Sequence, residues 1–144
     1  MKRVLLYLVL GLFAAGTGAC GAPDVSAPTG PVEDIAGLVA RLQAQGATVE
    51  AVGDLTQPFF SVDGRVLRAN GQEVQVFEYP NAAAAGSEAA QVLSDGSVIG
   101  TTMVDWVAPP HFYRSGKLLV IYVGQDAATL DLLEQILGEQ FAGG

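Results

Sequence analysis

Six consecutive apolar residues, Leu118 to Val123 (LLVIYV), lie between the turn formers Ser115-Gly116 and Gly124. The run is too short for a helix of its own and has no polar residue to turn toward water. It therefore predicts a central strand buried on both faces. Such a strand needs a neighbour along each edge and a covering layer on each side. His111–Arg114, across Ser115-Gly116, supplies one neighbour as the first arm of a hairpin. Arg65–Ala69 and Glu73–Tyr79 flank Asn70-Gly71, the strongest short hairpin signal. Thr48–Val52 reads as a further strand, and Gln57–Val62 as a continuation of the sheet after a break. Val98–Val107 alternates, with Thr102, Val104 and Trp106 on one side and Thr101, Met103 and Asp105 on the other.

The covering layer is read from helical spacing. Ile35, Leu38, Val39 and Leu42 fall at i, i+3, i+4 and i+7, Pro31 suits a first turn, and Gly46 supplies a stop. These predict an amphipathic helix over about 32–45. Asn81 can cap an alanine-rich helix over 82–93, and Asp126 one that presents Leu130, Leu133 and Leu137 before Gly138. The expected class is α+β: an antiparallel sheet of about five to six strands, with about three helices packed mainly on one face. Residues 68–93 and 114–137 share an order of turn, apolar strand and helix. That order fits a ββα duplication or an independent recurrence of a common unit.

Lys2 and Arg3 precede a twelve-residue apolar run, Val4 to Ala15, and then small residues up to Ala19. This is the layout of a secretory signal, and the run is shorter than the roughly twenty residues of a spanning helix. Thr17-Gly18-Ala19-Cys20 resembles the lipobox of bacterial lipoproteins, although Thr17 stands where that family usually has Leu. The resemblance implies cleavage between Ala19 and Cys20 and a diacylglyceryl thioether on Cys20. Each buried CH₂ contributes about 0.8 kcal/mol, so two or three chains anchor stably where one does not. Residues 20–31 (CGAPDVSAPTGP) read as the lipidated cysteine and a flexible tether, and 32–144 as one globular domain. Segments such as QPFFSV, VQVFEYP and PHFYRSGKLLVIYVG resemble small bacterial lipoproteins with a helix-first α+β domain, a likeness that implies location and no activity.

Charge narrows the partners. The chain carries −8, and loss of Lys2 and Arg3 with the leader takes it to −10. The remaining basic residues are scattered, which argues against nucleic acid and against an electrostatic hold on anionic lipid. The expected attachments are a membrane, through the lipid on Cys20, and an envelope protein or small ligand. A single cysteine excludes an internal disulfide and a cysteine-rich zinc site. Neither a cofactor nor a metal is expected: there is no phosphate-binding glycine loop, no G-x-S-x-G elbow and no second His near His111.

One segment gathers the candidate binding residues. Between Asp105 and Arg114 lie the only Trp (Trp106), a diproline, the only His (His111), Phe112 and Tyr113. Rigid aromatics beside polar groups give contact area at low entropic cost. Phe59 and Phe60 are candidates for the same cluster, and core packing is the alternative for all of them. The function expected is a membrane-anchored envelope lipoprotein at the extracytoplasmic face, a non-enzymatic binding or accessory module. The competing readings are a small enzyme using Asp105 and His111 as an acid–base pair, and a structural spacer.

Overall fold

The computed structural model describes residues 29–144. The leader, the Ala19–Cys20 junction, the lipidation site and most of the tether lie outside the described residues. Those that are described form an α+β fold with an open, wholly antiparallel sheet. In chain order the elements are α1 (Ile35–Ala44), β1 (Val49–Leu55), β2 (Gly64–Ala69), β3 (Gln72–Glu78), α2 (Ala82–Ala89), β4 (Val98–Ile99), β5 (Thr102–Met103), β6 (Pro110–Ser115), β7 (Leu118–Val123), α3 (Ala127–Leu137) and β8 (Ala142–Gly143). The main sheet runs β1-β2-β3-β7-β6-β8, and β4 and β5 pair with each other.

The apolar run is β7, an interior strand with Leu118 to Tyr122 buried. Alternation divides its side chains between two cores. Leu118, Val120 and Tyr122 join Val74, Val76, Leu67 and Tyr113 beneath α1 and α3. Leu119 and Ile121 join Phe77, Phe112, Phe60 and Ile99 beneath α2. Each fully buried aliphatic side chain contributes roughly 1.5–3 kcal/mol, so this strand is the main anchor of both layers. Two helices thus cover one face and the third covers the other. The order hairpin-then-helix recurs as β2-β3-α2 and β6-β7-α3, with the two helices on opposite faces of the sheet.

The hairpins follow their turn chemistry. Asn70 and Gly71 both take positive φ (49° and 86°) between β2 and β3, as a type I′ turn requires. Gly116, at φ 52°, turns β6 into β7 and lies against the backbone of Val32 and Glu33. Val32 is buried, and the Lys117 amide donates to the Glu33 carbonyl (3.2 Å), so the start of the domain is fastened to this turn.

Several boundaries differ from expectation, each for a local reason. Helix α1 begins at Ile35, not 32, because Asp34 is the cap and accepts from the Gly37 amide at 2.8 Å. Gln57–Val62 is a turn rather than a strand: the Phe60 amide donates back to the Gln57 carbonyl (3.3 Å), sending Phe60 into the core. Helix α2 stops at Ala89, after which Val92 and Leu93 pair with the β4 region. The expected long strand 98–107 is a short β4–β5 hairpin that turns at Gly100, although Val104 and Trp106 still face inward as the alternation predicts. Strand β8, which pairs with His111 and Phe112, has no counterpart in the sequence expectation.

The two sheet margins differ. β8 is only two residues long. β1 is longer and largely exposed, carries Glu50 and Asp54, and is interrupted by a bulge between Ala51 and Gly53.

Candidate functional site

The Trp106–Arg114 segment does not form one surface. Strand alternation sends Phe112 and Arg114 to the α2 side and His111 and Tyr113 to the α1/α3 side, following their β7 partners. Trp106 reaches the α2 side from the connection before β6. Its ring meets Phe112 edge-to-face at 5.8 Å and Phe59 at 6.4 Å, and Phe59 in turn meets Phe60 at 4.9 Å. The aromatic cluster expected from Trp106, Phe112, Phe59 and Phe60 is therefore present, with Phe60 and Phe112 in the core and Trp106 and Phe59 half-buried. Arg114 is exposed and extends along α2 beside Gly86.

His111 is held as a structural residue. It is buried, stacks on Tyr122, and places Nδ1 2.6 Å from the Gln140 side-chain oxygen and Nε2 3.1 Å from the Gly124 carbonyl. Each ring nitrogen thus lies within hydrogen-bond distance of a protein oxygen. Asp105 is exposed on the other side of the sheet, so the fold does not bring the candidate acid–base pair together. Tyr113 is buried, and burial, reinforced by the charge of Glu134, pushes its phenol up from the usual value.

Three concave regions offer themselves as sites. The widest, about 750 Å³, lies between α1 and the Leu55 end of the sheet. Its charged groups already satisfy one another. Arg65 meets Asp54 (3.5 Å), Asp63 accepts from Thr56 (2.8 Å), and Glu78 is shared between Lys117 (2.8 Å) and the Ile35 amide (3.1 Å). Chiefly the Lys117 hydrogen bond holds the Glu78 carboxyl below its ordinary value. A second region, about 470 Å³, joins His111 to carboxylates of α3. Among the described residues no group of three or more His, Cys, Asp or Glu is placed to hold a metal.

The third region is a groove of about 390 Å³ between the 104–107 segment and strands β2, β3 and β7. Its size lies within the range of small-molecule sites, about 300–1,000 Å³. Trp106 forms part of its wall, with its indole orientation fixed by a 2.8 Å hydrogen bond from Nε1 to the Gly96 carbonyl. Val66 and Val123 add apolar surface, and Val107 is almost fully exposed at the lip. Gln57 and Gln75 face one another, Nε2 of Gln57 donating to Oε1 of Gln75 at 3.0 Å. Both side chains line the groove, and among the described residues this is the one hydrogen bond that either side-chain amide makes, so the Gln75 N–H₂ and the Gln57 carbonyl oxygen keep bonding capacity to spare. Of the two carboxylates present, Glu73 is paired with Arg68 at 2.8 Å, and Asp105 makes no ion pair among the described residues.

Sequence reasoning found Trp106 and missed the two glutamines. Their one signal is Gln75, a polar residue that shares its strand face with buried Phe77 in β3. Gln57 lies beyond a turn that only the tertiary structure places beside it.

Among the described residues no helix is long and apolar enough to cross a membrane. The chain matches no protein-family model, no curated protein and no solved structure.

Proposed function

We propose that this chain is a membrane-anchored envelope lipoprotein, held at the extracytoplasmic face by an acylated Cys20, and that its domain is a non-enzymatic binding module whose site is the Trp106 groove. The anchor rests on the positive, apolar and small-residue order of residues 2–19 and on the lipobox-like Thr17-Gly18-Ala19-Cys20. The binding role rests on one observation: the groove combines an oriented aromatic ring with two side-chain amides whose hydrogen-bonding capacity is only partly used among the described residues. An acid–base enzyme built on Asp105 and His111 is disfavoured by their placement on opposite sides of the sheet.

Membrane fractionation of cells making the full-length protein tests the anchor. Cys20→Ala should move the protein from the membrane pellet to the soluble fraction, and persistent membrane retention of that variant would refute lipid anchoring. Cross-linking from position 107, at the groove's lip, tests the module: reproducible capture of an envelope component supports it, and uniform background labelling refutes it.

A further inference from the structure

We infer that the Trp106 groove takes an uncharged, hydroxyl-rich ligand, that is, a saccharide. This rests on the binding-module reading and deepens it. The paired glutamines carry the inference. A hydroxyl both donates and accepts, and the two groove-lining amides, joined by one hydrogen bond, keep a donor on Gln75 and an acceptor on Gln57 unused among the described residues. Adjacent hydroxyls on a ring satisfy both at once. Asp105 supplies a further acceptor at the opening, suited to another hydroxyl.

The apolar parts fit the same chemistry. The C–H face of a sugar ring is a flat apolar surface, and Trp106, Val66 and Val123 present a firm wall to receive it. The tie from Trp106 to Gly96 fixes the indole before any ligand arrives, which lowers the ordering cost of binding.

Charge excludes the main alternatives. Among the described residues no Lys, Arg or His lines the groove, so a phosphate or carboxylate ligand would find no positive charge and would face the carboxylate of Asp105. A cationic ligand has only exposed carboxylates to pair with, Asp105 and Glu73, and Glu73 already meets Arg68. Exposed single ion pairs contribute little.

Trp106 is the only tryptophan in the chain, so its emission reports the groove alone. The full-length lipidated protein, in a detergent without a sugar headgroup, is titrated with cello- and chito-oligosaccharides of one to four units and, separately, with tetralysine. The expected result is a saturable change in Trp106 emission with the saccharides that is insensitive to salt. Affinity that rises with chain length assigns the ligand to a polymer, and length-independent affinity to a free sugar; both outcomes support the inference. Gln75→Ala should weaken binding about tenfold, the loss of roughly one net hydrogen bond, and Gln57→Ala should do the same from outside the core strands.

A response to tetralysine alone, suppressed by salt and abolished by Asp105→Asn, would overturn the saccharide assignment and leave the groove as a site for basic peptide. Silence toward every probe, with capture from position 107 still observed, would overturn the ligand class and not the module. Silence in both experiments would remove the module as well.

Discussion

Replacing Tyr79 with Phe should make this protein more stable, the reverse of most changes to a buried aromatic. Tyr79 is 2% exposed and packs in the core beneath α2, and its hydroxyl has no hydrogen-bond partner among the described residues. A buried hydroxyl left unpaired costs about 1–3 kcal/mol relative to water. Removing the oxygen sacrifices only a few dispersion contacts, so a net gain of about 1 kcal/mol is expected for Tyr79→Phe. In a domain of this size that raises the melting temperature by about 4 °C. Tyr122→Phe is the matched control. Its hydroxyl donates to Gln72 and accepts from the Asp126 amide, both at 3.2 Å, and its loss should cost about 1–2 kcal/mol. The pH dependence carries a second signature. Burial, reinforced by the charge of Glu88, pushes the Tyr79 phenol well above its ordinary value. In the unfolded chain the phenol ionises near pH ~10, so above that pH the unfolded state binds fewer protons and stability falls. Tyr79→Phe should lose part of this alkaline decline, with a remainder left to Tyr113, whose phenol is also raised. Urea denaturation of the detergent-solubilised protein at neutral and alkaline pH, followed by near-ultraviolet circular dichroism, measures both effects. If Tyr79→Phe is destabilised at neutral pH, or shows an unchanged alkaline slope, the hydroxyl has a partner and the reasoning fails.

Glu78, held below the ordinary carboxylate value chiefly by Lys117, contributes stability that is present above its unfolded value and is lost as pH falls through the folded one. Glu78→Gln should therefore flatten the acid limb of stability below about pH 5, and an unchanged limb in a pH series of thermal melts would contradict the assignment. Gly116→Ala would place a Cβ 2.6 Å from Glu33 Cα at a positive φ, where backbone gives way poorly. A loss of about 2–3 kcal/mol is expected in the same urea assay, and near-neutrality would mean that the Val32–Gly116 junction is loose.

What could be read from the sequence was whatever short-range physics decides. The LLVIYV run, the Asn70-Gly71 turn and the Asn81 and Asp126 caps each fix a local conformation with residues a few positions apart, and each is found where expected. Errors arose where long-range contacts compete. Phe59 and Phe60 look like strand residues, yet the aromatic core under α2 rewards a turn that buries Phe60. The alternation at 98–107 was legible as burial and misleading as strand, because Gly100 folds the chain into a hairpin while Val104 and Trp106 still point inward. At the candidate site Trp106 announced itself by composition. Its partners, Gln57 and Gln75, are eighteen residues apart and ordinary in type, so only the fold identifies them.

The unequal sheet margins bear on how copies behave when concentrated. An unpaired strand invites another chain to extend the ladder, and chains confined to two dimensions collide side by side far more often than chains in bulk. Here one flank ends in a two-residue strand, too brief to template anything. The other flank kinks at Ala51–Gly53 and displays Glu50 and Asp54, so a second copy approaching it meets a broken register and carboxylate against carboxylate. Both margins therefore make poor templates for lateral extension by a second copy.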